Sequence, residues 1–343
     1  MAEPLRHLVL GASGFLGAHV VRRLVERGEP VRALVRPTSS TRGIDDLVGQ
    51  RAIDLVHGDV HDRASLHAAM AGIDVVHHCV VDARAWLRDP APLHHTNVEG
   101  LRNVLEVARE HDLHRFVLTS SIATLPIGRR PVDEDAGPHN WLRRGGAYVR
   151  SRVEAEELAL DHQRRYGVPV VALCVANTYG PRDHLPTPHG AFLRAAVRGR
   201  VPTYVRGAAA EVVDVRDAAE AFVLAARHGT PGRRYIVSAR WMSTREILTI
   251  GAEHVGVPPP RWGIPRAAIT AAGVVGDVVG NVRKRDVRLT STTARLMHVM
   301  TPLDHSRAVQ ELGWHPRPVE GTIRDAADFF ASPSRRREDS PPA

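Results

Sequence analysis

Lysine is nearly absent from this chain. A single residue, Lys284, stands against forty-five arginines among 343 residues, so chemistry that needs a lysine amine can be placed at position 284 alone. Cysteine is almost as scarce. Cys79 and Cys174 each lie inside an apolar, strand-like run, where a thiol is usually a reduced core residue; this excludes a disulfide framework and leads us to expect a cytoplasmic protein. No uncharged apolar run reaches the ~18 residues of a membrane-spanning helix. The nearest approach, Ile264 to Val282, is interrupted by Pro265, Arg266, Asp277 and glycines; it reads as a helix or helix pair, and no integral membrane association is expected. The first eight residues include Glu3, Pro4, Arg6 and His7, which is not a signal-peptide pattern. Acidic charge is in deficit too, with a formal net charge of +8. The arginines are scattered, however, and the one tight group is Arg335-Arg336-Arg337. No zinc-finger spacing or RNA-binding aromatic signature accompanies them, so nucleic acid is not expected as a partner. Diffuse positive charge suits an anionic cofactor equally well.

Present instead is a regular alternation. Apolar strand-like runs at Leu8–Leu10, Val31–Val35, Ile53–His57, Val75–Val80, Phe116–Thr119 and Val170–Val175 are separated by helical patterns near 18–27, 63–71, 98–110 and 148–166. Such alternation predicts an α/β fold, a Rossmann-type doubly wound parallel sheet with helices on both faces. Past Val175 the texture becomes richer in Pro and Gly. A strand–helix unit at Glu211–His228 and a strand at Arg234–Val237 return, and 240–330 reads as mainly helical. The predicted organisation is a dinucleotide-binding domain over 1–175, joined again by 211–238. A smaller, interleaved substrate lobe is assigned to 176–210 and 239–330, with a disordered tail over 331–343.

The first run feeds Gly11-Ala12-Ser13-Gly14-Phe15-Leu16-Gly17 and then an amphipathic helix carrying Val20, Val21, Leu24 and Val25 on one side. Gly11 permits a sharp exit from the strand, Gly14 lets backbone approach a pyrophosphate, and Gly17 lets the helix pack closely; Ser13, Phe15 and Leu16 share the loop. A pyrophosphate is favoured at the helix N-terminus by free N–H groups and the dipole. Strand before and helix after make the triplet a dinucleotide site. After the second strand the chain reads Val35-Arg36-Pro37-Thr38. No acid is available for a ribose 2′-hydroxyl, whereas Arg36 can clamp a 2′-phosphate, so NADP(H) is the expected cofactor.

The Gly-x-x-Gly-x-x-Gly spacing resembles the short-chain dehydrogenase/reductase superfamily, and its extended branch in particular. Gly58-Asp59-Val60 is similar to that branch's adenine-contact motif, which implies Asp59 as acceptor for the adenine amino group and Val60 beside the ring. Cys79-Val80-Val81 stands where the branch shows smaller residues beside the cofactor. Asn97-Val98-Glu99-Gly100 matches its Asn-x-x-Gly segment, whose asparagine props the active-site backbone. Thr119-Ser120-Ser121-Ile122-Ala123 resembles its Ser-Ser-x-Ala strand end, which implies that Ser121 holds the substrate carbonyl. Tyr148-Val149-Arg150-Ser151-Arg152-Val153-Glu154-Ala155-Glu156 matches Tyr-x-x-Ser-Lys-x-x-Ala-Glu at every named position but one. The lysine is Arg152.

That exchange bears on chemistry. Ketone reduction needs a hydride and a proton for the developing alkoxide. A phenol is a slow donor at neutral pH unless a cation one helical turn away favours the phenolate. Arginine supplies the charge but is longer and planar, and fills the lysine's place beside the nicotinamide ribose less well. Three readings stay open: Tyr148 donates the proton with Arg152 tuning it and holding the cofactor; Tyr148 only positions the substrate and another group supplies the proton; or the site is inert and the protein is an NADP-binding sensor or regulator. His139 and Arg143 form a weaker candidate acid–cation pair. Cys174-Val175-Ala176-Asn177-Thr178-Tyr179-Gly180-Pro181 keeps the Gly-Pro end of a family loop but not its Arg-Pro start, and Asp214-Val215-Arg216-Asp217 reads as structural. The histidines form no metal-binding pattern, and His77 and His78, adjacent in a strand, face opposite ways, so no metal is expected. The resemblance points to the dihydroflavonol-reductase and hydroxysteroid-dehydrogenase side of the branch. The expected activity is NADPH-dependent reduction of a hydrophobic small-molecule ketone, an aromatic polyketide among the candidates, by a monomer or homodimer. A sugar-nucleotide epimerase or dehydratase is the alternative enzyme.

Overall fold

A computed structural model describes residues 4–332. Seven strands form one sheet: β1 His7–Leu10, β2 Val31–Val35, β3 Asp54–His57, β4 Val75–His78, β5 Arg115–Ser121, β6 Val170–Val175 and, after three short strands, β10 Arg234–Val237. The order is β10-β6-β5-β4-β1-β2-β3, and every pairing is parallel. Chain direction across the sheet reverses between β1 and β4, which opens a crevice at their carboxyl ends.

Alternation along the strands explains the two packed faces. Leu8 and Leu10 of β1, Phe116 and Leu118 of β5, and Val170 and Ala172 of β6 join the core under the helices Arg63–Met70, Gly100–Ala108 and Gly146–Tyr166. Val9, Val117, Val171 and Leu173 point the other way, to the core shared with Val20, Val21 and Leu24 of the helix Phe15–Glu26 and with Phe222 of the helix Val215–His228. His77 and His78 are both buried and face opposite sides. His77 Nε2 lies 3.0 Å from His7 Nδ1, while the His78 ring lies beside Phe116.

The short strands β7 Asn177–Tyr179, β9 Ala209–Asp214 and β11 Arg240–Ser243 make a separate three-stranded sheet, and β8 Thr203–Val205 pairs with β12 Trp262–Ile264. The strand predicted near Glu211 therefore lies outside the large sheet, and 240–330 holds two strands besides its helices. Leu193, Val197, Ile247, Ile323 and Phe330 build a core under these elements. Asp214 and Asp217 fasten it to the sheet. Asp214 Oδ2 accepts from Thr322 Oγ1 at 2.8 Å, and Asp217 accepts from the Arg317 backbone N–H at 2.8 Å. The structural reading of that segment agrees with these bonds.

Two further boundaries differ from expectation. β4 stops at His78, two residues early; Cys79 N–H still donates to Leu10 O at 2.9 Å, the ladder bond of the Leu10–His78 pair. The helix predicted over 98–110 begins at Ala91 and contains a π-turn at His95–Glu99. The stretch from Ile264 to Val282 agrees with expectation: past Ile264, which ends β12, it forms one helix, Arg266–Arg283. The predicted tail falls almost entirely outside the described residues; Ala331, its first residue, ends the last helix.

Candidate active site

Gly11 turns the chain out of β1 with φ of 75°, a conformation that side chains rarely adopt. A Cβ there would also lie 3.0 Å from the Cys79 carbonyl carbon, so the glycine lets two strand ends meet across the crevice. Gly14 N–H donates to Gly11 O at 3.0 Å, and Gly14 begins the helix Phe15–Glu26 without any side-chain cap. A Cβ on Gly17 would overlap the Gly11 carbonyl oxygen and sit 2.9 Å from its carbon. Ser13, Phe15 and Leu16 are half-buried around this turn. The product is a cradle that any Cβ would fill, facing uncapped N–H groups of a twelve-residue helix, and it fits a pyrophosphate. His19, buried on the same helix, is within 3.0 Å of Pro181 O through Nε2. Burial lowers its pKa to about 4, so the neutral ring donates that bond and ties the helix to the Gly180-Pro181 loop.

Arg36 is exposed just past β2 and has no ion-pair partner among the described residues. Asp59 accepts from His61 N–H through Oδ1 at 2.9 Å, which leaves its second oxygen for a ligand. Val60 is buried against Gly100, where a Cβ would come within 2.8 Å of Val60 Cγ2. The rings at this edge are His61 and His95, stacked with centroids 3.7 Å apart and planes 4° from parallel. Burial, then His95, with a smaller contribution from Arg36, lowers the His61 pKa, so Arg36 and the stack share one neighbourhood. Neither histidine carries a local sequence signal for this; the π-turn brings them face to face.

That turn also presents Asn97, and π-turns are often found at functional sites. Asn97 Oδ1 accepts from Asp82 N–H at 2.8 Å, and its Nδ2 donates to Asp82 O at 3.0 Å and to Ser151 Oγ at 3.1 Å. Ser151 donates in turn to Tyr148 O at 2.8 Å. One buried amide thus joins the loop after β4 to the helix that bears Tyr148.

Ser121 closes β5, and its Oγ accepts from Ala123 N–H at 3.1 Å, leaving the hydroxyl proton to be given elsewhere. Ala123 packs with Trp141, Val149 and Val153; Tyr148, Leu142, Leu296, Val299 and Met300 lie against that cluster. Arg152 follows Tyr148 by one helical turn and is only 2% exposed. Its Nη2 donates to Thr119 O, and its Nε has no partner. Burial lowers the Arg152 pKa while Tyr148, Glu156 and Cys174 act to raise it; a guanidinium stays charged under such conditions. His78 is pushed down to about 3 by burial and by Arg152, so it is neutral there. Burial pushes the Cys79 thiol up to about 12, which makes it a neighbour of the crevice and not a nucleophile. Glu156, one turn beyond Arg152, accepts from Ser120, from Thr124 Oγ1 at 2.9 Å and from Arg234 at 3.2 Å. His139 is spent on the loop: Nε2 lies 3.1 Å from Ala123 O and Nδ1 accepts from Trp141 N–H at 3.4 Å. The candidate pair with Arg143 is therefore not formed, because Arg143 is exposed on a separate turn.

The family model described as "NAD dependent epimerase/dehydratase family" matches residues 7–238. The chain belongs to that family. Among members of the epimerase/dehydratase family, the chain is 33% identical over 331 residues to a Synechocystis sp. protein provisionally named a dihydroflavonol 4-reductase, covering 94% of this chain and 93% of that one. It is 29% identical over 330 residues to the 4-hydroxy-2-methyl-3-oxo-4-farnesyl-3,4-dihydroquinoline-1-oxide ketoreductase of Stigmatella aurantiaca, covering 94% and 95%. The crystal structure of gox2253 superposes with a TM-score of 0.83 at 29% identity, covering 97% of this chain and 98% of that one.

Proposed function

We propose that the protein is an NADPH-dependent ketoreductase that converts a ketone on a hydrophobic small molecule to a secondary alcohol. The observation that carries this reading is the pair Tyr148–Arg152: a half-buried phenol among apolar side chains, one turn from a buried guanidinium with an unpartnered Nε. The cradle at Gly11, Gly14 and Gly17 would hold the pyrophosphate, and Asp59 the adenine. Arg36 would hold the 2′-phosphate, with Arg152 beside the nicotinamide ribose and Cys79 lining the crevice. A reduced nicotinamide, when bound, supplies hydride to the carbonyl carbon. Ser121 directs its free proton at the carbonyl oxygen and orients it. Tyr148 transfers its phenolic proton to that oxygen as the alkoxide forms. Arg152, fixed by Thr119 O, stabilises the phenolate that remains. On this reading 1–175 with 211–238 binds the cofactor. Residues 176–210 and 239–330 shape the substrate space, to which Leu296, Val299 and Met300 contribute its aliphatic side; aliphatic groups suit a ketone better than a sugar nucleotide.

The test is NADPH and NADH oxidation at 340 nm over steroid, flavonoid and aromatic-polyketide ketones, with wild type, Tyr148→Phe and Arg36→Ala. Loss of a general acid lowers kcat by ~10²–10⁴-fold. Loss of a charged phosphate contact raises the NADPH KM by about 10–100-fold and leaves NADH alone. Turnover that survives Tyr148→Phe moves the proton source to substrate or solvent. NADPH binding without reduction of any ketone favours a regulatory protein.

A further inference from the structure

The helix Arg266–Arg283 shows two apolar sides. Ile269, Gly273, Gly276 and Gly280 are buried, and a Cβ on Gly273 would fall 2.7 Å from Thr290 O. This stripe lies directly on the returning segment 285–291. On the far side Ala267, Ala271, Val274, Val275, Val278 and Val282 share an arc of about 100° at the α-helical pitch. The four valines are 51–77% exposed. A solvent-facing helix surface ordinarily carries polar groups there; here they stand at the ends. Arg266 precedes the stripe and Arg283, Lys284, Arg285 and Arg288 follow it, all exposed. The acids nearby are partly engaged: Asp277, half-buried, accepts from Ser291 N–H at 3.2 Å, and Asp286, exposed among the basic residues, accepts from Arg88 N–H at 2.9 Å. Trp262, 71% exposed, stands just before the helix.

We propose that this face docks on an anionic lipid bilayer, with the helix lying flat, the valines in the acyl boundary and the basic ends on headgroup phosphates. Valine and alanine offer a protein partner no hydrogen bonds, while an aliphatic stripe between cationic ends, with an indole at its edge, complements a negatively charged interface. No described helix is long and apolar enough to cross a membrane, so the contact is peripheral. It also places the candidate site near lipid. The same segment continues into Arg295, which donates to Arg144 O at 3.1 Å, and into Leu296, Val299 and Met300 beside Tyr148. The docking face and the wall of the site are thus two sides of one stretch, residues 266–300, and the docking does not depend on the reductase reading.

The experiment is co-sedimentation of the full chain with phosphatidylcholine vesicles and with vesicles of equal parts phosphatidylcholine and phosphatidylglycerol, at low and high salt. Binding to the anionic vesicles at least tenfold tighter than to the neutral ones is expected. High salt should weaken it, and the double variant Val275→Asp/Val278→Asp should weaken it at least tenfold. Val282→Asp, in the last turn, asks the same question should the double variant fail to match the wild-type circular dichroism and melting midpoint. Absence of anionic-vesicle binding, or binding unchanged in these variants, overturns the proposal. So does a wild-type dimer that the valine substitutions convert to monomer in sedimentation velocity, since a second copy would then cover the face.

Discussion

Gly17→Ala is the smallest change that tests whether the Gly11–Gly17 turn is a dinucleotide cradle. The added methyl would overlap the Gly11 carbonyl oxygen and approach the Gly11 carbon and Ala12 Cα, at 2.9 and 3.2 Å. All of these are backbone atoms, so relief requires the helix Phe15–Glu26 to move off the loop. Such overpacking costs about 1–3 kcal/mol. Replacing a helical glycine by alanine returns at most about 1 kcal/mol of helix propensity. A net loss of about 0–2 kcal/mol follows, a fall of at most roughly 3 °C in melting midpoint for a chain of this size. The larger effect falls on binding, because the N–H groups of the first turn would no longer converge on one phosphate. A rise of at least tenfold in the NADPH dissociation constant, read by cofactor fluorescence, is expected. Gly49→Ala is the control: it lies in the helix Asp45–Gly49 with nothing within 4 Å of an added Cβ, and should gain about 0.4–1 kcal/mol without altering affinity. Wild-type affinity in Gly17→Ala would refute the reasoning, whatever the melting curve showed.

Two further outcomes follow from buried polar groups. His19 has its pKa lowered to about 4, first by burial, so the unfolded chain takes up this proton first as pH falls, and wild type loses the associated stability between about pH 6.5 and 4. His19→Gln keeps a donor for Pro181 O but does not titrate; urea unfolding at pH 7 and pH 4 should show it losing about 3 kcal/mol less than wild type, and parallel losses would contradict this. Asn97→Ala strands the Asp82 N–H and C=O and frees Ser151, which should cost about 2–3 kcal/mol in urea unfolding at neutral pH; a change under 0.5 kcal/mol, about the scatter of a surface substitution, would show that water replaces the amide.

The parallel sheet was legible because its strands are buried on both faces and read as continuous apolar runs, such as Val170–Val175, separated by helical periods. The glycine turn was legible for a related reason: it is local, and its conformation restricts residue type. What stayed hidden is what depends on contacts between distant segments. Nothing near His61 signals a stacking partner at His95, and Val60 faces the core because Gly100 leaves room for it. The placement of β9 outside the large sheet is equally non-local, since Ala209–Asp214, with Glu211 and Asp214 beside four apolar residues, is no more polar than Asp54–His57 of the large sheet and only its pairing with β7 and β11 sets it apart.

The Tyr–Arg pair shows why a motif read by residue type alone leaves chemistry open. Sequence spacing puts the guanidinium one turn from the phenol but does not say what else it touches. In the fold its Nη2 is held by Thr119 O, a strand-end carbonyl two residues before Ser121, and its nearest carboxylate is Glu156 on the same helix. Glu156 is itself engaged by Ser120, Thr124 and Arg234, so it compensates Arg152 only in part. A buried cation with shared compensation keeps a positive potential around it, and Tyr148 is among the groups coupled to that charge. On the proposed reading, Arg152 spends one N–H on Thr119 O and keeps its charge and its unpartnered Nε for the phenolate of Tyr148 and the cofactor. On that same reading, the exchange of lysine for arginine keeps the electrostatic half of the family's pair, while one of the guanidinium's donors is taken by Thr119 O and the others face the task a lysine has at the ribose.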